Sequence, residues 1–342
     1  MKILVTGGTG YIGSHFILEA IRNTDWEIIS VDNYSNSSPK TLERINKITG
    51  RSIINYPLDL RDYNKIFGLI LDHPGITGIV HFAALKSVPD SVREPLLYYD
   101  NNLNGLINLL RVISELKIPN FIFSSSCSVY GNVTKLPVNE STPLGKTESP
   151  YAHTKQIGEG IIEHFSHQSN SNAISLRYFN PVGADPSGLN GEDPINMPNN
   201  LLPVITQVAS GILPMLTIFG NDYHTRDGTC VRDYIHVSDI ALAHINAMEY
   251  LLKDKTELNH EIINLGTGNG VTVMEVVKAF EHVTGLKLNY EIGPRRDGDV
   301  EALYSDTKLS ETKLQWKPRY NINEMMNSAW KWQLELNKEA GK

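Results

Sequence analysis

Cysteine is scarce in this sequence, which has only Cys127 and Cys230 among 342 residues. One pair cannot form a disulfide framework, and the CxxC spacing that is typical of structural zinc sites does not occur. We therefore expect no metal site, and the low cysteine content favours a reducing compartment.

Long apolar runs and an excess of positive charge are also missing. No stretch of about 18 apolar residues occurs, so no helix is expected to cross a bilayer. The apolar run before Gly7 is too short for a signal peptide, and the last residues form no lipidation motif. With 31 Lys and Arg against 38 Asp and Glu, the net charge of -7 argues against a nucleic-acid-binding surface. We expect a soluble, cytoplasmic protein with neither nucleic-acid nor membrane partners.

Apolar residues make up 41% of the chain and charged residues 20%, which is the composition of a globular protein with a sizeable core. At about 150 residues per domain, the length suggests two domains. In the first half, short β-branched or aromatic runs alternate with helical segments, which predicts a parallel sheet with right-handed crossovers. The predicted strands are 3–5, 27–31, 53–56, 79–82, 120–124 and 173–178, and the predicted helices are 12–22, 102–116 and 154–167.

The character of the sequence changes after Asn180. Residues 181–200 are rich in proline and glycine and show almost no periodicity, so we interpret them as a long loop or a crossing between domains. Helices predicted at 237–252, 273–283 and 323–336 then mix with short strands. The whole pattern predicts an α/β fold, a doubly wound parallel sheet with a smaller C-terminal α/β domain.

Three glycines, Gly7, Gly10 and Gly13, follow the first predicted strand and precede a helix. Glycines at such a turn let the backbone approach a pyrophosphate, and the helix N-terminus supplies free N–H groups. Asp32 follows the second strand, 19 residues after Gly13, where a carboxylate binds the ribose hydroxyls of NAD and repels the 2′-phosphate of NADP. The alternative is that Asp32 only caps a turn with Asn33.

A second glycine cluster at 266–270 (GTGNG) follows a strand-like run at 262–265. No acidic residue follows it at the distance that dinucleotide binding requires, and no strand-helix-strand unit surrounds it. We therefore interpret this cluster as a turn.

Tyr151 and Lys155 are four residues apart, which places them on one face of a predicted helix. A phenol with a pKa of about 10 is a poor base at neutral pH. A nearby ammonium group, together with an oxidised nicotinamide, would lower that pKa. Serines at 124–126 close the predicted strand before this helix, and the ends of such strands face the ligand crevice. Alone, a tyrosine and a lysine at this spacing are typical of an ordinary helix surface. In a chain that also has the glycine turn and the strand-end serines, the pair predicts a catalytic site.

These features resemble the extended short-chain dehydrogenase/reductase superfamily, and longer segments resemble the UDP-glucose 4-epimerase family within it. The resemblance covers nearly the whole chain. The matching segments are 5–15 (VTGGTGYIGSH), 81–86 (HFAALK), 98–102 (YYDNN), 121–126 (FIFSSS), 149–155 (SPYAHTK), 176–183 (LRYFNPVG), 198–201 (PNNL), 218–223 (IFGNDY), 231–236 (VRDYIH) and 294–299 (PRRDGD). The resemblance implies an NAD-binding Rossmann domain over 1–180 that also takes in about 232–260, an interleaved UDP-sugar-binding domain over 181–342, and a homodimer.

The same resemblance implies roles for individual residues. Tyr151 would be the catalytic acid and base, Lys155 would hold the nicotinamide ribose and tune the tyrosine, and Ser126 would assist in the proton transfer. NAD would be bound by Gly7, Gly10, Tyr11, Ile12, Gly13, Asp32, Asn33, Asn36, Ser37, Asp59, Leu60, Phe82, Ala83, Ala84, Lys86, Asn101, Ser126, Tyr151, Lys155, Tyr178 and Phe179. The UDP-sugar would be bound by Lys86, Ser126, Tyr151, Asn180, Asn200, Leu201, Arg232, Tyr234, Arg296, Asp299 and Leu303.

The activity that the resemblance implies is an isomerase reaction. UDP-glucose and UDP-galactose would interconvert by inversion at carbon 4, through a transient 4-keto sugar and tightly held NAD, in galactose metabolism and the supply of UDP-sugars. Leu303 replaces the tyrosine of the bacterial glucose-specific pattern, so we also expect turnover of UDP-N-acetylglucosamine and UDP-N-acetylgalactosamine. The alternative is that epimerisation of UDP-N-acetylglucosamine is the main activity.

Two other functions compete with this interpretation. A sugar-nucleotide 4,6-dehydratase needs a carboxyl group just after the strand-end serine, where this chain has Cys127, Ser128 and Val129. A non-catalytic NAD-sensing protein could dispense with Tyr151 and Lys155, and this chain has both.

Overall fold

The computed structural model describes residues 1–195, 198–253, 259–296 and 299–341, so Asp297 and Gly298 of the segment at 294–299 lie outside the described residues. The strands are β1 (Lys2–Thr6), β2 (Glu27–Val31), β3 (Ile54–Tyr56), β4 (Ile76–His81), β5 (Asn120–Ser126), β6 (Asn172–Tyr178), β7 (Asn180–Val182), β8 (Leu216–Phe219), β9 (Val231–Arg232), β10 (Tyr234–His236), β11 (His260–Leu265), β12 (Val271–Thr272), β13 (Tyr290–Gly293) and β14 (Ala302–Leu303).

The helices alternate with these strands in the first half of the chain. They are α1 (Tyr11–Asn23), α2 (Lys40–Thr49), α3 (Tyr63–Asp72), α4 (Val88–Arg93), α5 (Pro95–Tyr99), α6 (Gly105–Leu116), α7 (Pro150–Gln168), α8 (Leu201–Ala209), α9 (Val237–Leu252), α10 (Val273–Thr284), α11 (Lys308–Lys313) and α12 (Ile322–Glu339). No helix in the described ranges combines the length and the apolar character that crossing a membrane requires.

A parallel sheet forms the centre of the molecule. Within the described residues it has seven strands in the order β11-β6-β5-β4-β1-β2-β3. The strand order reverses direction between β1 and β4, which is where open sheets of this type bind ligands. The predicted doubly wound α/β fold is therefore confirmed.

Helices cover both faces of this sheet, which is why most residues of its central strands are buried. One buried cluster contains Phe16 of α1 and Met248 of α9, and the other contains Ile66 of α3, Leu109 of α6 and Ile162 of α7. Both α9 and β11 come from the second half of the chain. The segment from α9 to β11 thus returns to the central sheet and extends to Leu265.

The remaining residues of the second half build a smaller unit beside the sheet. Helices α8, α10 and α12 share a third buried cluster, and β8 pairs with β13 next to it. The predicted loop at 181–200 is partly regular, since β7 lies in its first residues and pairs with β10. The predicted helix at 102–116 also differs, because a π-helical turn occupies Asp100–Asn104 before α6 begins. The division into two domains at residue 180 stays a prediction.

Candidate active site

The first strand and helix are joined by a turn that only glycine can form. Gly7 has a φ of 71°, and a Cβ there would lie 2.6 Å from the backbone nitrogen of Ala83. A Cβ on Gly13 would collide with the carbonyl oxygen of Gly7. Helix α1 begins after Gly10, which has no side chain to cap the free N–H groups. The turn therefore forms a cradle of closely packed backbone next to the free N–H groups at the start of α1, as pyrophosphate binding requires.

Asp32 lies directly after β2 and is tied to this turn. Its carboxylate accepts hydrogen bonds from the backbone N–H groups of Thr9, at 3.2 Å, and Tyr34, at 2.9 Å. It also accepts one from the hydroxyl of Ser37, at 2.9 Å, and that hydroxyl lies 2.7 Å from the hydroxyl of Thr9. Asp32 thus does shape a turn, as the alternative interpretation holds, and it also faces the glycine cradle. The contact with Thr9 was not predicted.

Other residues that the resemblance assigns to NAD lie along the same edge of the sheet. Phe82, Ala83 and Ala84 follow β4, Leu60 packs against Gly105, and Asn36 is exposed beyond Asp32. Asp59 is held by both ends of the Arg61 guanidinium, which lowers the pKa of the carboxyl, and it lies 3.5 Å from the amide of Asn33.

The π-helical turn contains two neighbouring asparagines, Asn101 and Asn102, whose side chains make different contacts. The side chain of the buried Asn102 binds both the backbone N–H and the carbonyl of Leu85, at 2.9 and 3.0 Å. It also accepts a hydrogen bond from the amide of Asn101, at 3.0 Å. The turn therefore orients the predicted cofactor residue Asn101 against the segment that follows β4, and π-helical turns are frequent at functional sites.

Lys86 and Asn200 meet at a residue that sequence reasoning missed. Glu192, in the loop after β7, accepts hydrogen bonds from the Nζ of Lys86, at 2.6 Å, and from the amide of Asn200, at 3.0 Å. The Lys86 ammonium also lies 5.6 Å from the ring centre of Tyr11. A predicted cofactor residue and a predicted substrate residue are thus brought together by one carboxylate.

The predicted catalytic residues come from β5 and α7. Ser126 ends β5 and accepts hydrogen bonds from the backbone N–H and the hydroxyl of Ser128, at 3.2 and 2.9 Å. Tyr151 lies in the first turn of α7, which Ser149 caps. Burial raises the pKa of Tyr151 to about 12, and the nearby hydroxyl of Ser126 opposes this rise. Tyr151 and Ser126 are therefore neighbours, as the sequence predicts.

Lys155 lies one turn further along α7, and its Nζ donates a hydrogen bond to the carbonyl oxygen of Ser124, at 2.6 Å. Burial lowers the pKa of this lysine to about 8, and the charge of Glu159 opposes the shift. The Lys155 ammonium lies 5.9 Å from the ring centre of Tyr151. The expected lowering of the tyrosine pKa is thus not produced by these side chains alone.

A buried ion pair, which sequence reasoning missed, lies behind Lys155. Glu159 binds the guanidinium of Arg177 through two hydrogen bonds of 2.9 and 2.6 Å, and it accepts a third from the hydroxyl of Ser125, at 2.5 Å. Glu159 follows Lys155 by four residues, so their shared helix face was the available signal. The pair fixes α7 to the ends of β5 and β6.

Tyr178 ends β6, and its hydroxyl lies 2.7 Å from Nε2 of His244 on α9. The Nδ1 of His244 lies 2.8 Å from the carbonyl oxygen of Ile240. The ring therefore donates from Nδ1 and accepts the tyrosine proton at Nε2, which fixes the neutral tautomer. Burial lowers the pKa of His244 to about 4. Tyr178 is thus oriented by a histidine that is distant in sequence.

The predicted substrate residues converge on β9 and its neighbours. Arg232 lies 3.4 Å from Asp299, and Leu303 of β14 stands opposite Arg232 in the parallel pairing of β9 and β14. Leu303 is buried and shares an apolar cluster with Phe179 and Tyr130. Three of the residues that were assigned to UDP and the sugar, two polar and one apolar, therefore occupy one small region.

The other predicted substrate residues frame this region. Asn180 on β7 pairs with Tyr234 on β10, and burial raises the pKa of Tyr234. The guanidinium of Arg296 lies 4.2 Å from the ring centre of Phe219. Leu201 begins α8 and packs against the apolar cluster of the smaller unit, so its side chain contributes to packing.

Comparisons with known proteins agree with this geometry. The family model described as GDP-mannose 4,6 dehydratase matches residues 4–329. The chain is 45% identical to the UDP-glucose 4-epimerase of Pasteurella multocida over 334 residues, covering 97% of both proteins. It is similar to the structure of UDP-glucose 4-epimerase from Stenotrophomonas maltophila with bound NAD and formylated UDP-arabinopyranose (TM-score 0.95, 41% identity, 99% of both chains). The structure from Bifidobacterium longum in complex with NAD+ and UDP gives a TM-score of 0.92 at 42% identity, over 98% of both chains.

Proposed function

Because the chain belongs to the UDP-glucose 4-epimerase family, we propose that it inverts carbon 4 of UDP-linked hexoses and interconverts UDP-glucose and UDP-galactose. The observation that carries this proposal is that Tyr151 and Ser126 lie close together at the same sheet edge as the glycine turn. The dehydratase reaction named in the family model is not favoured, because Cys127, Ser128 and Val129 supply no carboxyl group after the strand-end serine.

The residues present fit NAD as the resident cofactor. The cradle formed by Gly7, Gly10 and Gly13 suits a pyrophosphate, and the Asp32 carboxylate suits ribose hydroxyls rather than a 2′-phosphate. When bound, NAD takes up and returns the electrons of the carbon 4 oxidation. Lys86 is a cation near the cradle, because its ammonium lies beside the ring of Tyr11, the first residue of α1.

Proton transfer at the 4-hydroxyl group is assigned to Tyr151 and Ser126. The phenolate of Tyr151 would take the proton directly or through the Ser126 hydroxyl, and it would return the proton after the sugar has turned over. Burial opposes phenolate formation in the chain alone, so the positive charges of Lys155 and the oxidised nicotinamide must both favour it.

Besides proton transfer, the reaction requires that the substrate is bound through its UDP group and not through the sugar. Arg232 and Arg296 can bind the two phosphates, and Asp299 can bind ribose hydroxyls. Tight binding of UDP keeps the intermediate in the site while the hexose presents either face. The Arg232–Asp299 contact of 3.4 Å is long enough to rearrange when a diphosphate arrives.

The finer assignments rest on the same resemblance. Leu303 is smaller than tyrosine, so we propose additional turnover of UDP-N-acetylglucosamine and UDP-N-acetylgalactosamine, with UDP-N-acetylglucosamine as the main substrate in the alternative. We further propose a cytoplasmic role in galactose metabolism and a homodimer. A cluster of exposed apolar side chains supports the homodimer, and it consists of Val92 on α4, Leu96 and Leu97 on α5, and Ile107 on α6.

One experiment tests the function directly. The purified protein is denatured, the released cofactor is identified, and the native protein is assayed with UDP-galactose and UDP-N-acetylgalactosamine. We expect NAD in the released fraction and formation of UDP-glucose without consumption of added NAD. Net oxidation of the sugar at the expense of added NAD, or loss of water from it, would contradict the proposal.

A further inference from the structure

Asp233 is fully buried, and its carboxylate accepts five hydrogen bonds from two other segments of the chain. One oxygen accepts from the backbone N–H and the hydroxyl of Thr267, at 2.8 and 2.6 Å. The other accepts from the backbone N–H of Gly268, at 3.1 Å, and from the backbone N–H and the hydroxyl of Ser305, at 3.1 and 2.7 Å. Both oxygens are therefore held by neutral donors.

This network explains the second glycine cluster. A Cβ on Gly266 would collide with the Asp233 carboxylate and with the hydroxyl of Ser305. A Cβ on Gly270 would lie 2.7 Å from Val231. The glycines at 266–270 are thus needed so that this turn can approach β9 and the residues after β14 closely.

Three of the four segments that meet at Asp233 carry proposed substrate residues. Arg232 ends β9 directly before Asp233, and Leu303 precedes Ser305 by two residues. The backbone carbonyl of Asp233 also accepts a hydrogen bond from the backbone N–H of Asn180, at 2.8 Å. Arg232 itself turns away from Asp233 and lies beside Asp299.

We propose that Asp233 is a positioning residue that aligns Arg232, Asn180 and Leu303 for the UDP-sugar, and that the turn at 266–270 serves this alignment rather than a second nucleotide site. The proposal rests on the proposed function, since it presumes that this region binds the nucleotide. Asp233 is buried and does not touch the substrate. It acts by fixing the distance between β9 and β14.

The test measures UDP binding by titration calorimetry on the NAD-loaded enzyme. Asp233→Asn keeps the shape of the side chain but leaves one acceptor oxygen for five donors. We expect its Kd for UDP to rise about ten-fold, because hydrogen bonds to a charged group are lost. The KM for UDP-galactose should rise similarly, while kcat and NAD content stay near the wild-type values. Thr267→Val and Ser305→Ala each remove one donor, and we expect rises of about three-fold.

The matched control is Asp239→Asn. Asp239 is also fully buried and accepts backbone hydrogen bonds from Arg319 and Tyr320, at 3.0 and 3.1 Å, neither of which is a proposed site residue. It should lose stability without losing UDP affinity. Wild-type UDP affinity in Asp233→Asn would overturn the inference, and so would an equal loss of UDP affinity in Asp239→Asn. If Asp233→Asn does not fold, the UDP affinities of Thr267→Val and Ser305→Ala decide in the same way. Wild-type protein that does not bind UDP would instead overturn the proposed function.

Discussion

The ammonium of Lys155 is directed at the carbonyl oxygen of Ser124, 2.6 Å away, although Lys155 shares a helix face with Tyr151. Its distance to the Tyr151 ring centre is 5.9 Å. The lysine is thus fixed by the strand that ends in the serines, and burial raises the pKa of Tyr151 to about 12. The basic form of the tyrosine must therefore be favoured by a ligand, which links proton transfer to cofactor occupancy.

Replacing Tyr151 with phenylalanine removes the proposed acid and base and leaves the ring in place. We expect turnover of UDP-galactose to fall by a factor of about 10² to 10⁴, because proton transfer is lost. Content of NAD and the Kd for UDP should remain near the wild-type values. Cofactor analysis and calorimetry check both, and near-normal turnover would show that another group moves the proton.

Replacing Lys155 with methionine separates stability from activity. Because burial lowers the pKa of this lysine to about 8, the folded protein carries the cost of a buried charge at lower pH. That cost is complete below pH 8 and fades as the pH rises toward about 10.5, the pKa of the unfolded chain. We expect Lys155→Met to equal or exceed the wild type in Tm at pH 7, with the difference narrowing above pH 8, while turnover falls. A lower Tm at pH 7 would contradict this account.

Local patterns predicted the parts of the site that local chemistry determines. The glycine turn and the pair of Tyr151 and Lys155 each depend on spacing within one segment, and the structure places both at the same edge of the sheet. The π-helical turn before α6 was not predictable in this way. It depends on hydrogen bonds between Asn102 and Leu85, which are distant in sequence and leave no local pattern.

Contacts between distant residues could not be inferred from the sequence. Asp233 and Ser305 are 72 residues apart, and Tyr178 and His244 are 66 residues apart. Neither pair leaves a periodic signal, since the residues meet only after the second half of the chain returns to the sheet. Asp233 is also adjacent to Arg232 in the sequence, and yet its carboxylate binds neutral donors that are distant in sequence.

Lowering the pH should destabilise the fold at pH values well above the pKa of ordinary carboxyl groups. Burial lowers the pKa of five histidines in the folded state. The pKa is about 3 for His81 and His236 and about 4 for His244 and His260, and that of His15 is also lowered. The unfolded chain takes up their protons below about pH 6.5, so the free energy of unfolding falls between pH 6.5 and 4 by up to about 1.4 kcal/mol per histidine and pH unit.

Thermal unfolding of the protein at pH 7, 6 and 5 checks this expectation. The Tm should fall over this range, and His260→Gln should show a shallower fall because one of the five titrations is removed. A Tm that stays constant from pH 7 to pH 5 would mean that these histidines are not neutral in the folded protein.

Replacing Asp32 with asparagine should weaken NAD retention. Asparagine offers one acceptor oxygen to the three donors from Thr9, Tyr34 and Ser37, and it removes the charge that would repel a 2′-phosphate. We expect purified Asp32→Asn to contain less NAD per chain and to accept NADP more readily than the wild type. The control is Asp25→Asn, an exposed carboxylate before β2. Unchanged NAD content in Asp32→Asn would refute the ribose assignment.

The identity of residue 303 should set the balance between plain and N-acetylated sugars. Leu303 lies opposite Arg232 and shares an apolar cluster with Phe179, so a tyrosine there would project additional volume into the region that we propose for the sugar. We expect Leu303→Tyr to reduce kcat/KM for UDP-N-acetylglucosamine more than for UDP-glucose, and we expect the wild type to use both.

Overpacking costs about 1–3 kcal/mol of stability, which lowers both activities together. The ratio of the two kcat/KM values is therefore the informative quantity, with Leu314→Ala as a control for a buried leucine in another cluster. An equal ratio in wild type and Leu303→Tyr, or no turnover of UDP-N-acetylglucosamine by the wild type, would remove residue 303 as the determinant of specificity.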